Sequence, residues 1–596
     1  MKLSDYVMEF LAQQGVRNVF MVSGGGIMHL TESCGRRADL RYWCNYHEQA
    51  SAICAESHAK LTGELGVCLV TQGPGAANAI SGLLGAWMDS APVLCLAGQV
   101  RTSILADHAR IRQYGPQEGN NLELARSVTK YSTRISDANT IRYELEKAVH
   151  LATSGRPGPV FVEIPLDIQA AEVDPQTLIG YAVPTAPAAG IPLEDQVAVV
   201  LAELRKAQRP ILVLGNGIRW AGAHDLVELL LARTRLPAVM PFSAKDILAE
   251  AHPANMGIIG TSGQRRANFA VQSSDCLLSI GSGLAITKVG FNFDRFAPAA
   301  RKIFVDIDPG QLHDQAVKPD IAVEADAGDF LSLLLARLGE TEIFGAPRWH
   351  VACKTWREKY PILEAARPAD HEPANSYHFM DTLSSQMSAR DILVTGNGLD
   401  CVSYWQTFKI KPGQRSMLSG NWGAMGWDLP TAIGACVGAE MRQTICVTGD
   451  GSIQWNIQEL MLIGLHALPV KIFIFNNQGY SAIRATQKAF FNGHFVGADQ
   501  SSGVANPDFG HLAAAYRLSY QRIGSSAEVE AGIRDVLRAD GPVLCEVAIS
   551  PQQWISPKAS AFRRADGTLE SRPIEDMEPF LPREEIWENM HQFDEI

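Results

Sequence analysis

The stretch from Thr444 to Ile483, TICVTGDGSIQWNIQELMLIGLHALPVKIFIFNNQGYSAI, constrains the fold more than any other part of the chain. A short apolar, β-branched run, Thr444 to Thr448, stops abruptly at Gly449-Asp450-Gly451. Ile457, Leu460, Met461, Gly464 and Leu465 then follow at helical spacing, so the periodicity predicts a helix beginning at Ser452. Pro469 closes it, and a second buried strand, Lys471 to Phe475, delivers Asn476-Asn477. The unit is a strand–turn–helix–strand of the parallel α/β kind.

Adjacent parallel strands end side by side, and ligands bind in the crevice beyond those ends. Asp450 and Asn477 are therefore expected to face one point in space. A carboxylate, an amide oxygen and a nearby main-chain carbonyl are hard oxygen donors that suit Mg²⁺, an ion that completes its octahedron with phosphate and water. Gly449 and Gly451 let backbone N–H groups approach closely, and a helix starting at Ser452 would turn its positive end toward an anion. A diphosphate bridged through Mg²⁺ fits. An ordinary βα turn with an Asp cap would explain GDG alone; NN at this spacing argues against it.

The rest of the chain is compatible with several such units. Its 596 residues are enough for three or four domains with cores of their own. A formal charge of −12 with no basic tract argues against a nucleic-acid partner. The eleven cysteines show neither CxxC nor a zinc spacing and read as buried free thiols of a reducing compartment. The opening MKLSDYVMEFLAQQGV is an amphipathic helix pattern carrying Asp5 and Glu9, unlike a signal peptide, and no run is long enough to span a bilayer. A cytoplasmic protein without membrane partners is expected.

The expected organisation is three doubly wound α/β domains, at 1–180, 194–340 and 376–550, and a tail from 551 to 596. A Pro/Ala linker at 182–193 and a polar break at 366–375 separate the domains. In the first domain the polar and Gly-rich positions fall at strand ends: Ser23-Gly24-Gly25-Gly26, His47-Glu48-Gln49, Thr71-Gln72-Gly73-Pro74-Gly75 and Gly98-Gln99. They should line one edge of a parallel sheet. In the second, Gly215-Asn216-Gly217 and Gly281-Ser282-Gly283 read as βα turns.

GDG, residues 452–475 and then NN resemble the diphosphate and metal motif of thiamine diphosphate (ThDP) enzymes, and within them the acetohydroxyacid (acetolactate) synthase-like group. That resemblance implies Asp450, Asn477 and the Gly479 carbonyl as Mg²⁺ ligands. It implies diphosphate contacts from Asn397, Gly398, Gly449, Gly451, Ser452, Tyr480 and Ser481. The family activates its cofactor through a Glu at a strand end, in a phrase like HEQ-x-A-x-x-x-A, which here is Glu48 in HEQASAICAESHA. A Glu at a helix N-terminus is also favoured by the helix dipole alone. The phrase Gly423 to Pro430, GAMGWDLP, resembles the family's GAMGFGLPAAIGA. It implies Met425 as the apolar wedge that folds the cofactor, and the Gly423 carbonyl as partner of its pyrimidine amine. Gly25 stands at the family's catalytic loop, where Ser23 replaces the usual Pro, and Gln117 aligns with a Gln facing cofactor and acceptor, beside an altered loop at 104–117.

Thr71-Gln72 stands where related decarboxylases place a catalytic His, which favours a carboligase. His29 and His47 are polar groups that could face the acceptor or simply be solvated. The phrases SGGGIMHL, RQYGPQE, FFNGHFVGADQSSGV and ESRPIEDMEPFLP look more like a deoxysugar branch of the family, that of the yersiniose A-type acetyltransferase. The resemblance thus implies a 2-oxo acid donor such as pyruvate and a ketone or aldehyde acceptor, which that branch takes from a nucleotide-activated keto-deoxysugar. Acetolactate synthase, with pyruvate as acceptor, is the alternative. An FAD-dependent oxidoreductase built on the middle domain and a silent paralogue are others. Some relatives bind FAD in that domain; Gly260 to Asn268 and Gly281 to Gly283 fall in the corresponding segments. Gly283 stands where FAD binders often carry Arg, so FAD stays open. The family arrangement implies a homodimer or homotetramer with active sites at the subunit interface.

Overall fold

The computed structural model describes residues 1–184, 191–364, 368–564, 566 and 569–593. Half of the expected linker (185–190) and the first residues of the polar break (366 and 367) lie outside them. The chain forms three six-stranded sheets in which every strand pair is parallel. The first contains β1 (Asn18–Met21), β2 (Arg41–Cys44), β3 (Gly66–Val70), β4 (Val93–Gln99), β5 (Tyr131–Arg134) and β6 (Val160–Pro165), in the order β2-β1-β3-β4-β6-β5. The second contains β7 (Pro210–Leu214), β8 (Ala238–Met240), β9 (Asn255–Ile258), β10 (Cys276–Ile280), β11 (Arg301–Asp306) and β12 (Ile321–Glu324), in the order β12-β11-β10-β7-β8-β9. The third contains β13 (Ile392–Thr395), β14 (Ser416–Leu418), β15 (Thr444–Gly449), β16 (Val470–Asn476), β17 (Ser519–Ile523) and β18 (Val543–Ala548), in the order β14-β13-β15-β16-β18-β17. This is the expected three-part α/β architecture.

The strand orders add what the sequence did not disclose. The first and third sheets share one topology, so two of the units are structural repeats without visible sequence repetition. Read from its other edge, the middle sheet has the dinucleotide-binding order, reversing between β7 and β10. That switch point opens on a cavity of about 800 Å³ lined by Gly217, Gly281 to Lys288 and Asp306, and closed by Arg156 and Arg415 from the flanking units. Gly260 to Asn268 does not line it. Asn268 instead holds the Gly260 backbone and the carbonyl of Ile574 in the tail, and Arg265 binds the carbonyls of Met577 and Pro579.

The first and third units share a core. The helix Glu48–Thr62 packs along the helix Asp428–Gly438, both rich in small residues, and their apolar side chains form one cluster with the strands behind them. Contact is close enough that a Cβ on Gly434 would overlap Ser57 Oγ and the Cys54 carbonyl. The helix predicted from Ser452 is broken. Residues Ile453–Trp455 and Ile457–Glu459 form single 3₁₀ turns, and only Leu460–Leu465 is α-helical. Asn456 sits at the break with φ −134°, because its side-chain amide donates to the Gly426 carbonyl (2.8 Å) and to Gln49 Oε1 (3.2 Å). Tertiary hydrogen bonds override the helical periodicity here. Among the described residues no helix is long and apolar enough to cross a membrane.

Candidate active site

β15 and β16 are direct neighbours, paired from Thr444↔Val470 to Gly449↔Phe475, so their ends lie together. Asp450 leaves β15 with its N–H on the Phe475 carbonyl (3.1 Å). Its carboxylate is buried. Oδ1 accepts from the Gly451 N–H (2.9 Å); Oδ2 accepts from the Gly479 N–H (2.9 Å) and from Asn506 Nδ2 (2.7 Å). Burial raises the Asp450 pKa, and these three donors and the nearby Arg484 oppose the rise. Arg484 also donates to the main-chain carbonyl of Asn477 (2.9 Å) and to that of Gln478 (3.1 Å), and so shapes the loop that carries Asn477 and Gly479. Gly479 has φ +124°, which a side chain would strain, and its N–H meets Asp450 because of it. Tyr480 closes over Gly451, where a Cβ would overlap its ring, and Ser481 opens the next helix.

The donor chemistry fits the expected groups. A buried carboxylate, the Asn477 amide and the Gly479 carbonyl are all hard oxygens, and no atom stands within 4 Å of where a Cβ on Gly449 would lie, leaving a backbone cradle at the turn. Asn397 and Gly398 follow β13, the strand beside β15. Asn397 Nδ2 donates to the Gly423 carbonyl, so the carbonyl expected to serve the cofactor's amine is here joined to the loop expected to touch its diphosphate. Met425 is half-buried between two positive-φ glycines, Gly423 and Gly426. Ser452 is buried; its hydroxyl accepts from the Gly426 N–H (2.9 Å) and donates to Asp428 (2.8 Å).

The first sheet gathers its expected residues on one edge. Gly24 and Gly26 lie against Thr71 and Gln72, and the Gly26 N–H donates to Thr71 Oγ1 (3.2 Å). Gly25 is exposed between them. The Gln117 main chain, at φ +59°, presses on Gly73. Glu48 is the first residue of its helix, and its carboxylate accepts from Asn78 Nδ2 (3.0 Å). His47 is the N-cap of the same helix, its Nδ1 accepting from the Gln49 N–H (3.2 Å), which gives it a structural task. His29 lies half-exposed on the Met28–Arg36 helix. Among the described residues Glu48 makes no hydrogen bond to the third unit of its own chain; its neighbours do. Glu459, wholly buried, accepts from Asn45 Nδ2 (2.9 Å) and the Tyr46 N–H (2.9 Å), strapping the strand end that presents Glu48.

Pattern reading missed Asn506, Glu459, Arg484 and Glu118. The last accepts from the N–H groups of Ala106, Tyr114 (2.7 Å) and Gly115 (3.2 Å), and so holds the loop before Gln117. None of the four carried a local signal; Asn506, which binds Asp450, stands 29 residues beyond Asn477.

Comparison with known proteins agrees with this geometry. Residues 1–124 match the thiamine pyrophosphate enzyme N-terminal TPP binding domain, 197–334 the central domain and 397–547 the C-terminal TPP binding domain. The chain belongs to the thiamine pyrophosphate enzyme family. It is 31% identical to a probable acetolactate synthase large subunit of Methanocaldococcus jannaschii, covering 93% of each chain. It is 31% identical to the acetolactate synthase isozyme 2 large subunit of Escherichia coli, over 93% of this chain and 96% of that one, and 28% identical to isozyme 1, over 93% and 95%. It is thus a ThDP-dependent enzyme of the acetolactate synthase-like group.

Proposed function

We propose that the protein is a ThDP- and Mg²⁺-dependent carboligase that decarboxylates pyruvate or a similar 2-oxo acid and joins the acyl unit to a ketone or aldehyde. When bound, ThDP would supply the nucleophilic carbon that decarboxylation of a 2-oxo acid requires. Asp450, Asn477 and the Gly479 carbonyl would hold the metal, and Asn397, Gly398, Gly451, Ser452 and Tyr480 the diphosphate. Glu48 would hold a proton at the pyrimidine end, Met425 would wedge the rings, and Gly25 and Gln117 would line the substrate side. The observation that carries the carboligase reading is the edge formed by Gly24, Gly26, Thr71 and Gln72. It offers an amide and a hydroxyl but no imidazole, so nothing there protonates the acyl carbon before an acceptor arrives.

A bulky acceptor such as a nucleotide-activated keto-deoxysugar is supported by the exposed Phe490, Phe491 and Val496 beyond the Tyr480 turn, an open apolar rim. The full-length acetolactate synthase relatives favour pyruvate as acceptor. Glu48 has its carboxylate turned to Asn78 at a surface where Tyr46 and Trp455 are also exposed. A second copy covering this surface would bring its diphosphate loop to Glu48, making a homodimer with two interfacial sites. The cavity at the β7–β10 switch point suits a nucleotide, FAD among them. The deciding experiment incubates protein, ThDP, Mg²⁺ and pyruvate with and without candidate ketones and identifies products by mass. An adduct of acetyl and ketone supports the leading reading, acetolactate alone supports the second, and no pyruvate consumption refutes both.

A further inference from the structure

Three segments of the site converge on one side chain that the reaction does not use. Asp428 is wholly buried at the start of the helix Asp428–Gly438. Its Oδ2 accepts from Thr448 Oγ1 (2.7 Å), two residues before Asp450, and from Ser452 Oγ (2.8 Å) in the same turn. Its Oδ1 accepts from the Leu429 N–H (2.8 Å). Through Ser452 it reaches the Gly426 N–H beside Met425. The third segment is Gly396, which leads to Asn397 and Gly398: a Cβ there would overlap Asp428 Oδ2 and lie 2.7 Å from Asp400 Oδ2.

A carboxylate is suited to this junction because it only accepts. It orients both hydroxyl protons toward itself, which leaves the Ser452 oxygen free to receive the Gly426 N–H. The Ser452 hydroxyl is thereby committed at both ends, and Ser452 can serve a diphosphate through its main chain. A glycine at this position, as in the phrase GAMGFGLP that the segment resembles, would tie none of these together. Two hydroxyls and one N–H are its polar contacts, with no cation among them, and a carboxyl buried in this way is an arrangement that stability alone does not favour.

We infer that Asp428 is a positioning residue: it locks the Gly396–Gly398, Gly423–Gly426 and Gly449–Ser452 segments into one preformed cradle and thereby sets the affinity for ThDP·Mg²⁺. Burial, and then the charge of Asp428, pushes the Asp400 carboxyl up to about 7, whereas hydrogen bonds from Thr448 and Ser452 oppose the rise at Asp428 itself.

The inference rests on ThDP as the ligand, and the test separates the two. Apo protein is titrated with ThDP at saturating Mg²⁺ by calorimetry, without substrate, for wild type, Asp428→Asn, Asp428→Gly, Ser452→Ala and the double variant Asp428→Gly/Ser452→Ala. The expected result is a Kd raised about 10- to 100-fold in Asp428→Gly, less in Asp428→Asn, as for other groups that hold a ligating shell. The double variant should bind no more weakly than Asp428→Gly, because the Ser452 hydroxyl that Asp428 orients is already released in Asp428→Gly. In Asp428→Asn and Asp428→Gly the kcat at saturating ThDP should stay near wild type while the half-saturating ThDP concentration rises. Apo thermal midpoints serve as the folding control, with Asp428→Asn, of equal volume, as the variant that keeps the test open if Asp428→Gly unfolds. Unchanged Kd in a folded Asp428→Asn and Asp428→Gly, additive losses in the double variant, or a fall in kcat at saturating ThDP would overturn the inference. Failure of the wild type itself to bind would overturn the ThDP reading as well.

Discussion

Glu459→Gln offers a test in which the size and sign of the effect follow from the structure. Glu459 is wholly buried between the first and third units, and burial pushes its carboxyl from the ordinary 4.5 up to about 7, with hydrogen bonds from Asn45 and the Tyr46 backbone opposing. A carboxyl with a raised value in the folded state holds a proton there that the unfolded chain has already lost. Its contribution to stability is therefore complete below about pH 4.5 and is lost as pH rises through 7. At 1.36 kcal/mol per unit, the loss across that window is about 3 kcal/mol. The protonated form has a ready partner, since Asn45 Oδ1 is buried without one and an amide flip would present it to the acid. Gln offers the same pattern at every pH. Urea midpoints followed by tryptophan fluorescence from pH 5 to 8.5 should therefore nearly coincide at pH 5 and diverge upward for Glu459→Gln by pH 8. Parallel curves, or a variant weaker by a constant amount, would show that Glu459 is ionised throughout and that the reasoning fails.

Other substitutions address the cofactor and the assembly. Glu48→Gln should lower kcat by about 10²- to 10⁴-fold with ThDP affinity kept within about tenfold, measured by calorimetry beside steady-state rates. Asp450→Ala should weaken Mg²⁺ and ThDP together, by about 10- to 100-fold; ThDP binding that persists under chelation would show the metal ligands misassigned. If each site takes Glu48 from one chain and Asp450 from the other, mixing inactive Glu48→Gln and Asp450→Ala chains should restore about a quarter of wild-type activity, because half the dimers are hybrids with one intact site of two. Gly434→Ala should cost about 1–3 kcal/mol in thermal or urea stability by forcing apart the helices Glu48–Thr62 and Asp428–Gly438.

The sequence was legible where chemistry and strand ends coincide. Gly449 to Gly451 and Asn476-Asn477 could be placed together because two buried strands joined by one crossover have few ways to pair. Glu48 could be placed on the same grounds, at the end of β2. What stayed hidden depends on partners distant in sequence. Glu459 reads as a polar position in a helical pattern, yet it is buried on Asn45 and Tyr46. Asn506 reaches Asp450 from a loop whose path no local pattern dictates. The helix expected from Ser452 is interrupted because Asn456 bonds to Gly426 and Gln49, both outside any window in which periodicity is counted. Asp428 stands alone as an acid in the phrase GAMGWDLP, and only the fold shows Thr448, Ser452 and Gly396 meeting on it.

The central claim is that this chain binds ThDP and uses Glu48 to activate it. Exchange of the thiazolium C2 proton for deuterium in bound ThDP, followed by NMR after acid quench, measures that step without any acceptor. The wild type should accelerate exchange at least about 10²-fold over free ThDP, and Glu48→Gln should lose that acceleration with the cofactor still bound. Exchange no faster than in free ThDP, or equally fast in Glu48→Gln, would contradict the account.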